Sequence, residues 1–153
     1  MLRFEIVIDI ERPVADVFAF VSDFTHLPLW NYYIRETTPE DAGPLRVGRR
    51  YRQTRKTDTQ KFEVIEYIPD QTVAIRLLKP TPPAIIRYTF QETSEGTRLT
   101  DEWSLKTIVP LPGFVTRFAT RSTKAAVAQN LAKLKTLLET GSVTLQDGRR
   151  TQF

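Results

Sequence analysis

The chain has 153 residues, 26% of them charged and 41% hydrophobic, with 22 basic against 18 acidic side chains for a net charge of +4. That balance is too apolar for a disordered chain and suits one globular domain burying about two-thirds of its unfolded surface. Cysteine is absent and His26 is the single histidine, which excludes disulfides, thiol redox chemistry and the usual zinc ligand sets.

The first predicted element is a strand. Leu2, Phe4, Ile6, Ile8 and Ile10 alternate with Arg3, Glu5, Val7 and Asp9, so one face is buried. Met1-Leu2-Arg3 runs straight into this strand without the pattern of a signal peptide. No apolar run approaches the roughly 20 residues of a membrane span, so the expectation is a cytoplasmic chain with no integral membrane segment. Pro13 fits the first turn of a helix carried by Val14, Val17, Phe18 and Val21. Ser22 and Asp23 end that helix and cap a second short one through Leu27, which Pro28 stops. Trp30 then begins the next extended segment, and His26 lies at the corner as a surface or capping residue.

Six more strands are predicted, near Tyr32–Thr38, Arg49–Thr57, Phe62–Ile68, Thr72–Leu78, Ile85–Gln91 and Thr97–Thr107. Pro69-Asp70-Gln71 and Ser94-Glu95-Gly96 are turn signals between sequential strands, which argues for an antiparallel meander. After Pro110-Leu111-Pro112-Gly113 the period changes. Phe114–Glu139 lacks proline and glycine and reads as one helix, about 40 Å long at ~1.5 Å per residue. Leu131, Leu134 and Leu138 give it an apolar stripe, and Gly141 stops it. The expected domain is residues 1–141, followed by a polar C-terminal tail, 142–153, with Val143 and Leu145 as anchors. The fold class is α+β: a curved antiparallel sheet of about seven strands wrapped around a long C-terminal helix, with two short helices after the first strand.

Cofactor and nucleophile signatures are missing from the sequence. Neither G-x-G-x-x-G nor G-x-x-x-x-G-K-[ST] occurs, and no G-x-S-x-G elbow supplies a serine for a triad through His26. No cofactor or metal is expected. Arg46, Arg49, Arg50, Arg52, Arg55 and Lys56 form a basic run. On an alternating strand such a run is a solvated face that discourages edge pairing, or else a protein- or membrane-surface contact. Stacking aromatics are not interleaved through it, so no nucleic-acid partner is expected.

The ordered set of Ile8-x-Ile10-x-x-Pro13-x-x-x-Val17-Phe18, Asp23 with Pro28-x-Trp30, Gly48-x-x-Tyr51, Glu66-Tyr67-x-Pro69, Gly96-Thr97-Arg98-Leu99-Thr100 and Asn130-Leu131-x-x-Leu134-Lys135-x-Leu137-Leu138-Glu139 resembles the START-related, Bet v 1-like (SRPBCC) superfamily. Within it, the chain is most similar to the polyketide cyclase/dehydrase-like branch, over roughly Leu2 to Glu139. The resemblance implies a helix-grip fold with an elongated pocket between sheet and long helix. Members of that superfamily include lipid and hormone carriers, quinone-binding proteins, cyclases and chaperone-activating domains, so fold alone does not choose an activity.

The residues themselves favour a pocket. Phe114 and Phe118 on the long helix are followed by the smaller Ser122, Ala125 and Ala126, and small groups opposite a curved sheet leave an apolar void. On Thr97–Thr107, Thr97, Leu99, Asp101, Trp103 and Leu105 share the apolar face, so Asp101 is expected to point inward. A carboxyl buried without a partner titrates near neutrality and serves as acid or base. The other readings are an ion pair with Arg55, Arg76 or Arg87, or a bulge that turns Asp101 outward. Ile86, Tyr88 and Phe90 are expected to face the helix, and Tyr51 and Gln53 to point inward from their strand. Trp30 closes one side of the sheet as core or ligand contact, and Ser122 offers a hydroxyl to a ligand or back to its own helix.

The expected partner is therefore a hydrophobic small molecule: a lipid, quinone, sterol or polyketide-like ring system. Its contacts are Trp30, Tyr51, Gln53, Ile86, Tyr88, Phe90, Asp101, Trp103, Phe114, Phe118 and Ser122. The alternatives are a cyclase or dehydratase with Asp101 as acid/base and Tyr51 or Tyr88 orienting the substrate, and a surface module using Arg46–Lys56. Oligomeric state leaves no mark in the sequence.

Overall fold

Strict alternation makes Leu2–Ile10 a strand (β1), with Phe4 and Ile10 buried and Arg3, Glu5, Val7 and Asp9 exposed. The computed structural model describes residues 2–106 and 111–153. Thr107, where the sequence reading ends its last strand, and Pro110 of the proline-rich link lie outside the described residues.

Helix α1 (Val14–Ser22) follows Pro13, whose carbonyl accepts from the Asp16 and Val17 amides. Asp23 caps a 3-10 turn, Phe24–His26, by accepting from the Thr25 amide at 3.1 Å. The chain then enters α2 (Leu27–Trp30) directly. Here the sequence reading is corrected: Pro28 sits in the first turn of α2, where its missing N–H costs nothing, and Trp30 ends that helix instead of opening a strand.

The remaining strands are β2 (Ile34–Pro39), β3 (Arg50–Arg55), β4 (Thr59–Ile68), β5 (Thr72–Leu77), β6 (Ala84–Thr93) and β7 (Gly96–Leu105). They form one antiparallel sheet in the order β1-β7-β6-β5-β4-β3-β2. All steps but one are hairpin neighbours, as the turn signals imply. The exception joins β1 to β7 and sets the first strand of the sheet beside the last. Gly96 makes the corner possible: a Cβ there would stand 2.3 Å from the Ile10 carbonyl oxygen. Register shifts between Val64 and Glu66 in β4 break the alternation of that strand, which is why its facing is not readable from period alone.

Helix α3 (Gly113–Thr140) crosses the sheet and ends at Gly141, whose positive φ of 89° suits glycine. Its C-terminal half buries Val127, Leu131, Leu134, Leu137 and Leu138 in the main core with Ile10, Val17 and Leu99. Arg12 donates to the Leu138 carbonyl at 3.0 Å and so ties the start of α1 to the end of α3.

The segment expected as a polar tail is an ordered hairpin instead. Strands β8 (Ser142–Thr144) and β9 (Arg150–Gln152) pair with each other, and Val143, Leu145 and Thr151 are buried. Two short apolar anchors among polar residues are enough, because the hairpin leans on α2 and α3 and exposes its other face.

Candidate functional site

Sheet and α3 diverge toward the N-terminal half of the helix, and a cavity of about 530 Å³ opens between them. That volume falls within the range of small-molecule sites. Phe24, Trp30, Ile75, Ile86 and Asn130 form much of its buried wall. The exposed side chains of Tyr33, Pro82, Ser122 and Ala126 form its rim.

Asp101 is the buried ionisable group on the floor of this space. It points inward from β7, is 1% exposed, and its Oδ1 makes no hydrogen bond among the described residues. The arginines that the sequence offers as partners are engaged elsewhere: Arg55 with Asp58, Arg76 with Glu63, and Arg87 with Glu66 and Glu102. Burial therefore pushes the Asp101 carboxyl up to about 7, with the nearby Trp103 indole pulling the other way. The Trp103 Nε1 donor completes no hydrogen bond among the described residues, although its ring stacks on Phe4 with centroids 5.8 Å apart.

Tyr88 faces Asp101 across the β6–β7 ladder and lines the same wall. Burial, and secondarily the Asp101 charge, hold its phenol well above the ordinary tyrosine range. On the far side, Gln53 Nε2 donates to Gln60 Oε1 at 2.6 Å, which leaves Gln60 Nε2 without an acceptor among the described residues. The wall thus carries two unused donors, Gln60 and Trp103, and an unused acceptor or, when protonated, donor at Asp101.

Of the residues expected at the pocket, the structure gathers Trp30, Gln53, Ile86, Tyr88, Asp101, Trp103 and Ser122 around the cavity. Ser122 is a rim residue on an exposed helix face. Four others lie outside the lining. Tyr51 points into the core, stacks on Phe62 at 5.0 Å, and accepts from Arg49 through its hydroxyl at 3.1 Å. Phe90 packs edge-on against Phe18 of α1 at 5.1 Å, at the end of the sheet that α1 covers.

Phe114 and Phe118 are each 74% exposed. At roughly 100° per residue they fall on the side of α3 opposite Leu131 and Leu134, and the inner side carries Thr116, Ala119 and Thr123. On α3 the void is bounded by Ser122, Thr123, Ala126, Val127 and Asn130, not by phenylalanine.

Sequence reasoning missed Gln60 and Asn130. Gln60 is in phase with Phe62 and Val64, and extending the strand two residues back would have aimed it inward. Asn130 lies one turn before Leu134 on the buried stripe and accepts from Gln146 at 3.1 Å.

The basic run is largely neutralised. Arg46 and Arg49 both meet Asp41, whose carboxyl the Arg46 guanidinium holds down at about 2, and Lys56 meets Asp147 at 3.1 Å. No helix among the described residues is long and apolar enough to cross a membrane.

Comparison with solved structures finds the same fold repeatedly. DynU16, from the dynemicin biosynthetic locus, is 22% identical with a TM-score of 0.71 over 92% of this chain and 48% of that one. StfQ, a di-domain aromatase/cyclase of the steffimycin biosynthetic pathway, is 17% identical with a TM-score of 0.69 over 88% of this chain and 49% of its own. The Aha1 dimer from Colwellia psychrerythraea is 21% identical, with a TM-score of 0.68 over 92% of this chain and 98% of that one. No curated protein matches the chain. The family described as polyketide cyclase / dehydrase and lipid transport matches residues 1–139, from the first strand to the last turn of α3. A match of that extent turns the resemblance into kinship: the chain belongs to the polyketide cyclase / dehydrase and lipid transport family.

Proposed function

We propose that this protein binds a hydrophobic small molecule (a lipid, quinone, sterol or polyketide-like ring system) in the cavity between sheet and α3. Family and fold support a ligand-binding or cyclase role. One observation carries the finer reading: an apolar space of about 530 Å³ whose wall holds unused polar atoms of Asp101, Trp103 and Gln60. Leaving such atoms unpaired in a dry interior is costly, and a ligand with an apolar body and one hydroxyl or carbonyl would pair them. In this reading Trp30, Ile86 and Tyr88 hold the apolar body, and Asp101, Trp103, Gln53 and Gln60 orient the polar group.

The test is native mass spectrometry of purified protein, followed by titration with an apolar fluorescent dye. Ile86→Trp fills the space, and a drop of at least about tenfold in dye affinity is expected without loss of folding. Unchanged dye affinity in a folded Ile86→Trp protein would sink the proposal.

A second reading, a cyclase or dehydratase, is favoured by the Asp101 carboxyl at about 7 beside Tyr88 within the same cavity. An acid/base group titrating near neutrality is matched to proton transfer at cellular pH. With an aromatic polyketide-like substrate, Asp101→Asn should keep binding and abolish turnover. Retained turnover in that variant removes Asp101 from the chemistry.

A further inference from the structure

The first half of α3 is built with its polarity reversed. Its half-buried side carries Val115, Thr116, Ala119, Thr120 and Thr123, mostly small or polar, and Thr120 returns its hydroxyl to the Thr116 carbonyl at 2.8 Å. Its outer side carries Phe114 and Phe118 one turn apart, each 74% exposed, with Leu111 just before the helix at 45%. Large apolar side chains clustered on a surface mark an interaction site.

The charge around them is of one sign. Arg117, Arg121 and Lys124 are exposed beside the two phenylalanines, and no acidic residue occurs from Gly113 to Leu138. In the other basic segment of the protein Arg46, Arg49, Arg55 and Lys56 are countered by Asp41, Asp58 and Asp147, whereas none of Arg117, Arg121 and Lys124 meets a carboxylate within salt-bridge distance among the described residues. An aromatic strip bordered by uncompensated cations fits a surface that is apolar within and anionic at its boundary.

We propose that the outward face of the first half of α3 docks on an anionic phospholipid bilayer. Phe114 and Phe118 sit among the acyl chains and Arg117, Arg121 and Lys124 lie at the headgroups, with the helix in the interfacial plane. Ser122 and Ala126 of the same helix segment form part of the cavity rim, so docking brings the opening to the membrane. This surface is separate from the cavity reading, and each can fail without the other, because vesicle binding is measured with no cavity ligand added.

The experiment is co-sedimentation of the whole chain with vesicles of phosphatidylcholine alone or mixed in roughly equal amounts with phosphatidylglycerol. Binding is expected to the mixed vesicles, to weaken at about 1 M salt, where the screening length falls to ~3 Å, and to be weak on phosphatidylcholine alone. Phe114→Ser with Phe118→Ser should reduce partition at least about tenfold, and Arg117→Glu with Arg121→Glu should do likewise, since each cation near such a surface is worth about fivefold. Equal binding to both vesicle types, or phenylalanine variants that partition like the parent, would overturn the proposal. A dimer in light scattering that dissociates on Phe114→Ser with Phe118→Ser would give the face to a second copy and overturn it as well.

Discussion

Tyr88 stands directly opposite Asp101 across the β6–β7 ladder, two inward-facing side chains that both resist ionisation at neutral pH. The cause is shared. Each is buried on a wall whose neighbours are apolar, and Asp101, once ionised, makes Tyr88 harder still to ionise.

The pH dependence of stability follows from Asp101. Its carboxyl rises from 3.8 to about 7 on folding, so between those values the folded chain holds a proton that the unfolded chain has released. Stability therefore falls as pH rises through that window and is level below it. At ~1.4 kcal/mol per pH unit the loss amounts to about 2–4 kcal/mol by pH 8. Urea unfolding at pH 5 and pH 8 measures the upper part of it, about two of the roughly three pH units between the two values. Asp101→Asn should flatten the difference, and parallel pH profiles for the two proteins would contradict the assignment.

Gln53 and Gln60 should behave as a coupled pair. Gln60→Leu leaves the buried Gln53 amide without its acceptor and is expected to cost about 1–3 kcal/mol. Replacing both by leucine removes the orphaned donor along with the bond and should cost less than the two single changes together. A double-mutant cycle in chemical denaturation gives the coupling, and strict additivity would show that the 2.6 Å bond contributes nothing.

Much of this site was readable from strand period. Asp101, Trp103, Ile86 and Tyr88 fall where alternation in β6 and β7 puts them, because both strands run without a bulge. Period fails in β4 after Val64, where the register shift breaks the alternation, whereas Gln60 is in phase with Phe62 and Val64 and falls outside the expected strand only because that strand begins at Phe62. The start of α3 was misjudged for a different reason. Phe114, Phe118, Ser122 and Ala126 follow one another at four-residue steps and read as one inward stripe, but Leu131 and Leu134 set the buried side of the helix elsewhere and leave both phenylalanines exposed. The Asp101 environment could not come from sequence, since Arg55, Arg76 and Arg87 were all plausible partners until their own carboxylates were located.

The reversed polarity of α3 predicts a sharp contrast along one helix. Leu134→Ala removes a fully buried side chain and should cost about 2–5 kcal/mol. Phe118→Ser removes a larger side chain from solvent and should change stability by no more than about 0.5 kcal/mol. Thermal or urea denaturation of both variants checks this. A large loss on Phe118→Ser would mean that the phenylalanine is buried in solution.

The C-terminal hairpin should prove part of the folding unit. Thr151 donates its hydroxyl to the Leu29 carbonyl at 2.6 Å, bracing α2, whose Trp30 lines the cavity. Gln146 holds Asn130, another cavity residue, and Lys56 reaches Asp147 from β3's side of the sheet. Phe153 packs edge-on against Phe20 at 5.0 Å. Ending the chain at Gly141 removes these contacts together with buried Val143 and Leu145, each worth roughly 1.5–3 kcal/mol of burial. The truncated protein is expected to lose about 3–5 kcal/mol and to bind an apolar dye several-fold more weakly, because α2 and Asn130 lose their support. Thr151→Val isolates the single hydroxyl bond and should cost about 1 kcal/mol with little change in dye affinity. Equal stability and dye binding in full-length and truncated chains would reduce residues 142–153 to an appendage of a domain that ends at residue 141.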